Sequence, residues 1–146
     1  MILPDANLLI YSTNRDSPEY RAAKRWLDAS LAGGHGILLG WVVILAFLRI
    51  TTNKRIFDRP LSIESAWSVV QGWLGHPLVS IAHPGPEHAR ILQQLLVAAR
   101  ATGDLITDAH LAALAIEHDA EVCSVDRDFA RFPNLRWRNP LEQRLP

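Results

Sequence analysis

The residues of this sequence that are best suited to chemistry are three widely separated aspartates. Asp5 and Asp126 each follow a short apolar run that is typical of a strand, and Asp108 begins a predicted helix, with Asp128 and Asp104 nearby. In open parallel sheets, ligands bind outside the carboxyl ends of the strands. We therefore expect these carboxylates to converge on one edge of a sheet.

Carboxylates that lie close together need a positive partner. Two like charges about 5 Å apart repel by roughly 3 kcal/mol at an effective dielectric constant near 20. A hard divalent cation such as Mg²⁺ prefers oxygen ligands and keeps several waters. It can generate hydroxide from bound water and neutralise charge on a phosphate under attack, as in a metal-dependent nuclease. The alternative is structural, with Asp108 as a helix cap and Asp126-Arg127-Asp128 as a turn.

The elements that must position these aspartates alternate between short apolar strands and helices. We predict strands over residues 2–5, 37–39, 78–81 and 121–125 and near 135–137, and helices from residue 7 and over residues 17–31, 41–53, 62–75, 86–101 and 109–118. This alternation implies an α/β fold, a three-layer α/β/α domain with a central, mostly parallel sheet. The length of 146 residues fits a single domain over residues 1–146.

The charged side chains cancel in number but are unevenly distributed. There are 15 basic and 15 acidic residues, so the formal net charge is zero. Residues 101–128 hold seven acids and one base, whereas residues 49–59 and 129–146 each hold four bases and one acid. An acidic centre between basic segments is compatible with a nucleic-acid partner, and chance patterning of solvated faces is the alternative.

Three features bear on the compartment. The single cysteine, Cys123, cannot form an internal disulfide. The longest apolar stretch, residues 37–48, has about 12 residues, whereas roughly 20 are needed to span a bilayer. The first residues lack a basic lead and include Asp5, which argues against a signal peptide. We expect a cytoplasmic protein with no membrane partner.

Three segments together resemble the PIN-domain ribonucleases, specifically the VapC-type toxins of bacterial type II toxin–antitoxin systems. They are Asp5-Ala6-Asn7 after the first strand, the stretch TDAHLAALA over residues 107–115, and SVDRDFARF over residues 124–132. They look like the family's three best-marked motifs, in the same order and at the expected separations. Residues 47–53 and 137–141 also look like a subset of these toxins.

This resemblance implies a PIN fold and a Mg²⁺- or Mn²⁺-dependent endoribonuclease that cuts structured or messenger RNA and is inhibited by a cognate antitoxin protein. By position, Asp5, Asp108 and Asp126 match the family's catalytic, metal-binding acids, and Asp128 matches an auxiliary metal ligand. Asp104 stands where the motif is less fixed and is not carried over. The resemblance also implies a homodimer.

The sequence departs from the family's pattern at Ala46. The family usually has a glutamate in the helix after the second strand, whereas no acid occurs here between Asp28 and Asp58. The site is therefore expected to have one ligand fewer. This leaves a second hypothesis beside the working nuclease, namely a catalytically degenerate PIN domain that only binds an antitoxin.

The end of the helix predicted over residues 41–53 is a candidate RNA contact. Arg49, Thr51, Asn53 and Arg55 could hold RNA phosphates near the site, with an ordinary helix end as the alternative.

Other chemistries are less well supported. A dehalogenase-type phosphatase or a receiver domain needs a lysine late in the chain, and the only lysines are Lys24 and Lys54. The histidines at positions 83, 88, 110 and 118 lack the spacing of metal ligands, and we expect surface or helix-end roles for them.

Overall fold

The computed structural model describes residues 1–142, which form a five-stranded sheet, six α-helices and one short 3₁₀ helix. The strands are β1 (Ile2–Pro4), β2 (Ile37–Leu39), β3 (Val79–Ile81), β4 (Glu121–Cys123) and β5 (Trp137–Arg138). The helices are α1 (Ala6–Thr13), α2 (Tyr20–Ala32), α3 (Trp41–Thr51), α4 (Ile63–Leu74), α5 (His88–Ala98) and α6 (Asp104–Glu117), and the 3₁₀ helix is Arg127–Arg131. Arg144, one of the bases counted in the last basic segment, lies outside the described residues.

The sheet has the strand order β3-β2-β1-β4-β5, and every neighbouring pair of strands is parallel. Leu3, Leu39 and Val122 of its inner strands are almost fully buried, as expected for parallel strands that helices cover on both faces. The predicted α/β/α architecture is therefore confirmed, and the sheet is parallel throughout.

The strand order reverses beside β1. The chain passes from β1 outward through β2 to β3, and it then returns to place β4 on the other side of β1. Right-handed crossovers carry the intervening helices to opposite faces of such a sheet. Accordingly, α1 packs against α2 and α3, whereas α5 packs against α6. The carboxyl ends of β1 and β4 thus flank a topological switch point, where open α/β sheets bind their ligands.

Helix α6 begins one turn earlier than the sequence predicted. It starts at Asp104, directly after Gly103, whose φ is 58°. Leu105 is buried in the core, and glycine adopts the left-handed conformation at no steric cost, so the earlier turn is favoured. The prediction that Asp108 caps a helix is therefore wrong, because Asp108 lies in the second turn of α6.

The remaining boundaries differ by a few residues. Helix α2 begins at Tyr20, although the predicted cap is present in part, since Oγ of Ser17 accepts a hydrogen bond from the N–H of Glu19 at 3.3 Å. Strand β4 ends at Cys123 and β5 begins at Trp137, so the connection between these two strands is longer than expected. Of the helices within residues 1–142, none is both long enough and apolar enough to cross a bilayer.

Candidate active site

Asp5 follows β1 directly and caps the next helix. Its Oδ1 accepts a hydrogen bond from the main-chain N–H of Ala6 at 2.7 Å, and its own backbone is extended, as is usual for an N-cap residue. The N–H of Asp5 donates to the carbonyl oxygen of Cys123 at 2.9 Å, which joins the end of β1 to the end of β4. The carboxylate is therefore held at the switch point.

Ser124 connects Asp5 with Asp126. It is fully buried, and its Oγ donates to Oδ2 of Asp5 at 2.8 Å and accepts from the N–H of Asp126 at 3.0 Å. Nδ2 of Asn7 donates to the same Oδ2 at 3.0 Å and to Oγ of Ser124 at 2.9 Å. One hydroxyl group thus sets the relative position of two predicted metal ligands.

Asp126 combines a structural role with its position at the switch point. Its Oδ1 accepts from the N–H of Asp128 at 2.8 Å and caps the 3₁₀ helix. The turn considered as the alternative role is therefore present. Asp126 nevertheless stays partly exposed and follows β4 by three residues, at the same edge as Asp5. Asp128 is exposed beside it.

Asp108 reaches this edge from α6. Burial is the largest cause that raises the pKa of Asp108, to about 7, and the negative charges of Asp5, Asp126, Asp128 and Asp104 raise it further. The contributions of these four negative charges indicate that the carboxylates lie near Asp108, because like charges at short range disfavour ionisation. The structure thus brings together Asp5, Asp108 and Asp126, which are separated by up to 121 positions in the chain.

Asp5 is under opposing influences. Burial is the largest cause and raises its pKa, the hydrogen bonds from Ser124 and Ala6 lower it, and the charge of Asp126 raises it again. The net direction is upward. Among the residues that the structure describes, no positive charge favours the ionised forms of Asp5 and Asp108.

Ala46 faces these two aspartates. A cavity of about 40 Å³ is lined by Asp5, Ala46 and Asp108 together with Val42, Val43 and Leu111. The alanine methyl group therefore stands where the sequence analysis expected the family's glutamate to project. Its small side chain leaves this wall of the cavity without an oxygen donor.

The donor set fits a hard divalent cation. Within residues 1–142, no three His, Cys, Asp or Glu side chains form a ready-made metal cluster. Mg²⁺ does not require one, because it usually keeps several waters and takes only one or two protein carboxylates. Oδ1 of Asn7 is buried and has no hydrogen-bond partner among residues 1–142, which leaves a further oxygen donor beside Asp5. The oxygen chemistry and the unbalanced negative charge both suit Mg²⁺ or Mn²⁺.

The four predicted RNA contacts have different surroundings. Arg49 and Arg55 are exposed. The hydroxyl of Thr51 is buried and donates to the carbonyl oxygen of Phe47 at 2.7 Å, and Oδ1 of Asn53 accepts from the N–H of Arg55 at 2.9 Å. The two arginines are therefore accessible to phosphate, whereas Thr51 and Asn53 shape the end of α3.

Sequence reasoning missed two kinds of polar residue. The bridging role of Ser124 depends on the β1–β4 pairing, and its only sequence signal is its place just after a strand. His88 begins α5 but is buried, and its Nε2 lies 3.0 Å from Nδ1 of His110 in the middle of α6. The expectation of surface or helix-end histidines is therefore wrong for His110, because α5 packs on α6 and joins two residues that are distant in sequence.

The sequence model of the PIN domain matches residues 2–135. Two similar curated relatives are from Mycobacterium tuberculosis. "Ribonuclease VapC37" is 41% identical over 140 residues, 96% of this chain and 97% of the relative. "Ribonuclease VapC33" is 40% identical over 143 residues, 98% of this chain and 100% of the relative.

Solved structures with the same fold are more distant in sequence. VapC20 from Mycobacterium tuberculosis, described as a sarcin-ricin loop cleaving toxin, has a TM-score of 0.69 at 16% identity and covers 93% of this chain and 99% of its own. VapBC2 from Rickettsia felis, bound to a promoter DNA fragment, has a TM-score of 0.67 at 19% identity and covers 95% and 98%.

Proposed function

The chain belongs to the PIN-domain family and, within it, to the VapC ribonucleases, and from that premise we propose that it is a Mg²⁺- or Mn²⁺-dependent endoribonuclease toxin that acts through Asp5, Asp108 and Asp126. The observation that carries this proposal is the pKa of Asp108, raised to about 7 by burial and by the surrounding aspartates. Such a concentration of negative charge is costly unless a cation normally neutralises it.

In the proposed site, Asp5, Asp108 and Asp126 would hold the metal ion directly or through its waters, and Asp128 would assist from the exposed side. A bound divalent cation supplies an activated water and neutralises charge on the phosphate under attack. Ser124 orients the carboxylate of Asp5 and holds the main chain of Asp126 beside it, since outer-shell hydrogen bonds orient metal ligands.

The proposed substrate is structured or messenger RNA. Arg49 and Arg55 are exposed near the end of α3, where they can contact phosphates. Arginine suits this role because its guanidinium group binds phosphate in a bidentate manner. VapC20, which shares the fold, is described as cleaving the sarcin-ricin loop, and this agrees with a structured RNA.

The proposed protein partners are a cognate antitoxin and a second copy of the chain, in the cytoplasm. Several structural neighbours are VapBC assemblies. Trp41 and Leu45 on α3 and Ile63 and Trp67 on α4 are large apolar side chains that are exposed in the isolated chain, and such patches are typical of protein interfaces. The acidic site would attract a cationic antitoxin side chain.

The second candidate is a degenerate domain that binds an antitoxin without cleaving RNA. It is favoured by Ala46, which leaves the cavity without the family's usual glutamate beside Asp5 and Asp108. The two candidates differ in activity alone, because both predict antitoxin binding.

Cleavage of total bacterial RNA by the antitoxin-free chain, with Mg²⁺ or Mn²⁺ and with EDTA, tests the proposal. We expect cleavage by the wild type, a loss of at least about a hundredfold in Asp5→Asn and Asp108→Asn, and none with EDTA. Asp28→Asn, which alters an exposed acid on α2 paired with Lys24, should cleave like the wild type. No cleavage by a folded wild type, or equal cleavage by Asp5→Asn, would favour the degenerate domain.

A further inference from the structure

Outside the acidic site, a cavity of about 280 Å³ is lined by charged and aromatic side chains and is here called the distal cavity. It lies where α1 and α3 end, and its lining includes Arg15, Asp16, Thr51, Phe57, Arg59 and Leu61. Helices α1 and α3 pack against each other, and the acidic site lies at the beginning of α1. The distal cavity and the acidic site therefore occupy opposite ends of the same helix.

The distal cavity combines positive charge with an aromatic wall. Its lining holds two arginines against one aspartate, and the adjoining loop adds Lys54 and Arg55 against Asp58. Within the described residues, neither Arg15 nor Arg59 forms an ion pair, whereas Arg90, Arg127, Arg136 and Arg138 each pair with an acid. Phe57 is partly buried and contributes an apolar surface. Unpaired guanidinium groups beside an aromatic ring suit the phosphate and the base of a nucleotide.

One stripe of α3 leads from the acidic site toward the distal cavity. Ala46 lines the acidic site, and Arg49 stands three residues later, so both lie on one face of the helix. Arg49 is exposed. Arg49 therefore provides a positive charge between the acidic site and the distal cavity.

We propose that the distal cavity binds one nucleotide of the RNA substrate, with the base against Phe57 and the phosphate held by Arg15 and Arg59. This assignment rests on the proposed function. The eight residues of α1 span about 12 Å. At about 3.4 Å per stacked nucleotide, the bound nucleotide lies roughly three or four positions from the scissile phosphate.

Binding of a labelled single-stranded RNA of about twelve nucleotides, measured by fluorescence anisotropy at several salt concentrations, tests the assignment. All variants carry Asp5→Asn so that the RNA stays intact. Arg15→Ala with Arg59→Ala should weaken binding and lower the slope of log K against log salt by about 0.7 for each phosphate released. Phe57→Leu keeps an apolar side chain but removes the ring, and it should weaken binding about fivefold or more with little change in that slope.

Two controls separate the distal cavity from general electrostatics. Arg90→Ala removes an exposed arginine of α5, far along the chain from the cavity, and should leave affinity and slope unchanged. An RNA of about three nucleotides is too short to occupy the acidic site and the cavity together, so the gain in affinity of the longer RNA over it should be smaller for the double arginine variant than for the wild type.

The assignment is overturned if the double arginine variant, shown to be folded by its thermal denaturation curve, binds the longer RNA with wild-type affinity and with the wild-type slope of log K against log salt. It is also overturned if Arg90→Ala weakens RNA binding and lowers the salt slope as much as the double arginine variant does. A third contradicting outcome is that the cavity variants lose antitoxin binding while their RNA binding is unchanged. The proposed function is tested separately, by measuring cleavage of total RNA by the wild type.

Discussion

Oγ of Ser124 donates a hydrogen bond to Oδ2 of Asp5 at 2.8 Å, across 119 positions of sequence. The same oxygen accepts from the N–H of Asp126 at 3.0 Å. Because Ser124 is fully buried, water cannot replace its hydroxyl group without a rearrangement. The orientation of Asp5 therefore depends on a residue that does not reach the solvent-exposed side of the site.

Replacing Ser124 with alanine should lower RNA cleavage about 10- to 100-fold, as is typical when an outer-shell partner of a metal ligand is lost. The concentration of Mn²⁺ needed for half-maximal cleavage should rise, because Asp5 is less well oriented. Ser124→Thr keeps the hydroxyl group and should retain more activity than Ser124→Ala. Equal losses in the two variants, both folded, would mean that packing alone matters at this position.

The raised pKa of Asp108 predicts that the free energy of unfolding falls as pH rises. Its pKa is about 7 in the folded chain and 3.8 in its ordinary state, so between these values the folded chain binds more protons than the unfolded chain. The free energy of unfolding therefore decreases as pH rises from about 4 to about 7. In EDTA, the Tm of Asp108→Asn should exceed that of the wild type above about pH 7 and match it near pH 4. Parallel Tm profiles would contradict this reasoning.

Ala46→Glu tests the missing acid directly. In EDTA, the added negative charge beside Asp5 and Asp108 should lower stability by about 1 kcal/mol. With Mn²⁺, Ala46→Glu should instead be more stable than the wild type. Adding Mn²⁺ should therefore raise the Tm of Ala46→Glu by more than it raises that of the wild type. Ala46→Gln is the matched control of equal size without charge. If both variants respond equally to Mn²⁺, the glutamate does not act as a ligand.

Substitution of Arg100, which lies outside the acidic site, can increase the stability of the chain. The φ of Arg100 is 48°, and this residue follows the C-cap of α5, where the N–H of Ala101 donates to the carbonyl oxygen of Leu96 at 2.9 Å. The left-handed conformation costs an L-residue about 1–2 kcal/mol. Arg100→Gly should therefore raise the free energy of unfolding by about 0.5–1 kcal/mol in urea denaturation. Arg100→Ala retains the strain and should show no gain.

Much of the fold was predictable because its signals are local. Ser62 accepts from the N–H of Ser65 at 3.1 Å and caps α4 as its residue type suggests. Strand β2 is buried throughout, as its run of apolar residues indicates. Helix α6 was misjudged because its first turn depends on Leu105 entering the core, and this tertiary contact outweighs the cap preference of Asp108.

The sequence by itself determined the alternation of strands and helices, the family resemblance, and the three aspartates at the ends of β1 and β4 and on α6. Only the tertiary structure decided how these residues are held. Strand order is a long-range property, and the pairing of β1 with β4 brings Ser124 onto Asp5. The raised pKa of Asp108 and the position of Ala46 in the cavity likewise arise from packing between elements, because burial and electrostatic repulsion depend on distance in space and not on separation along the chain.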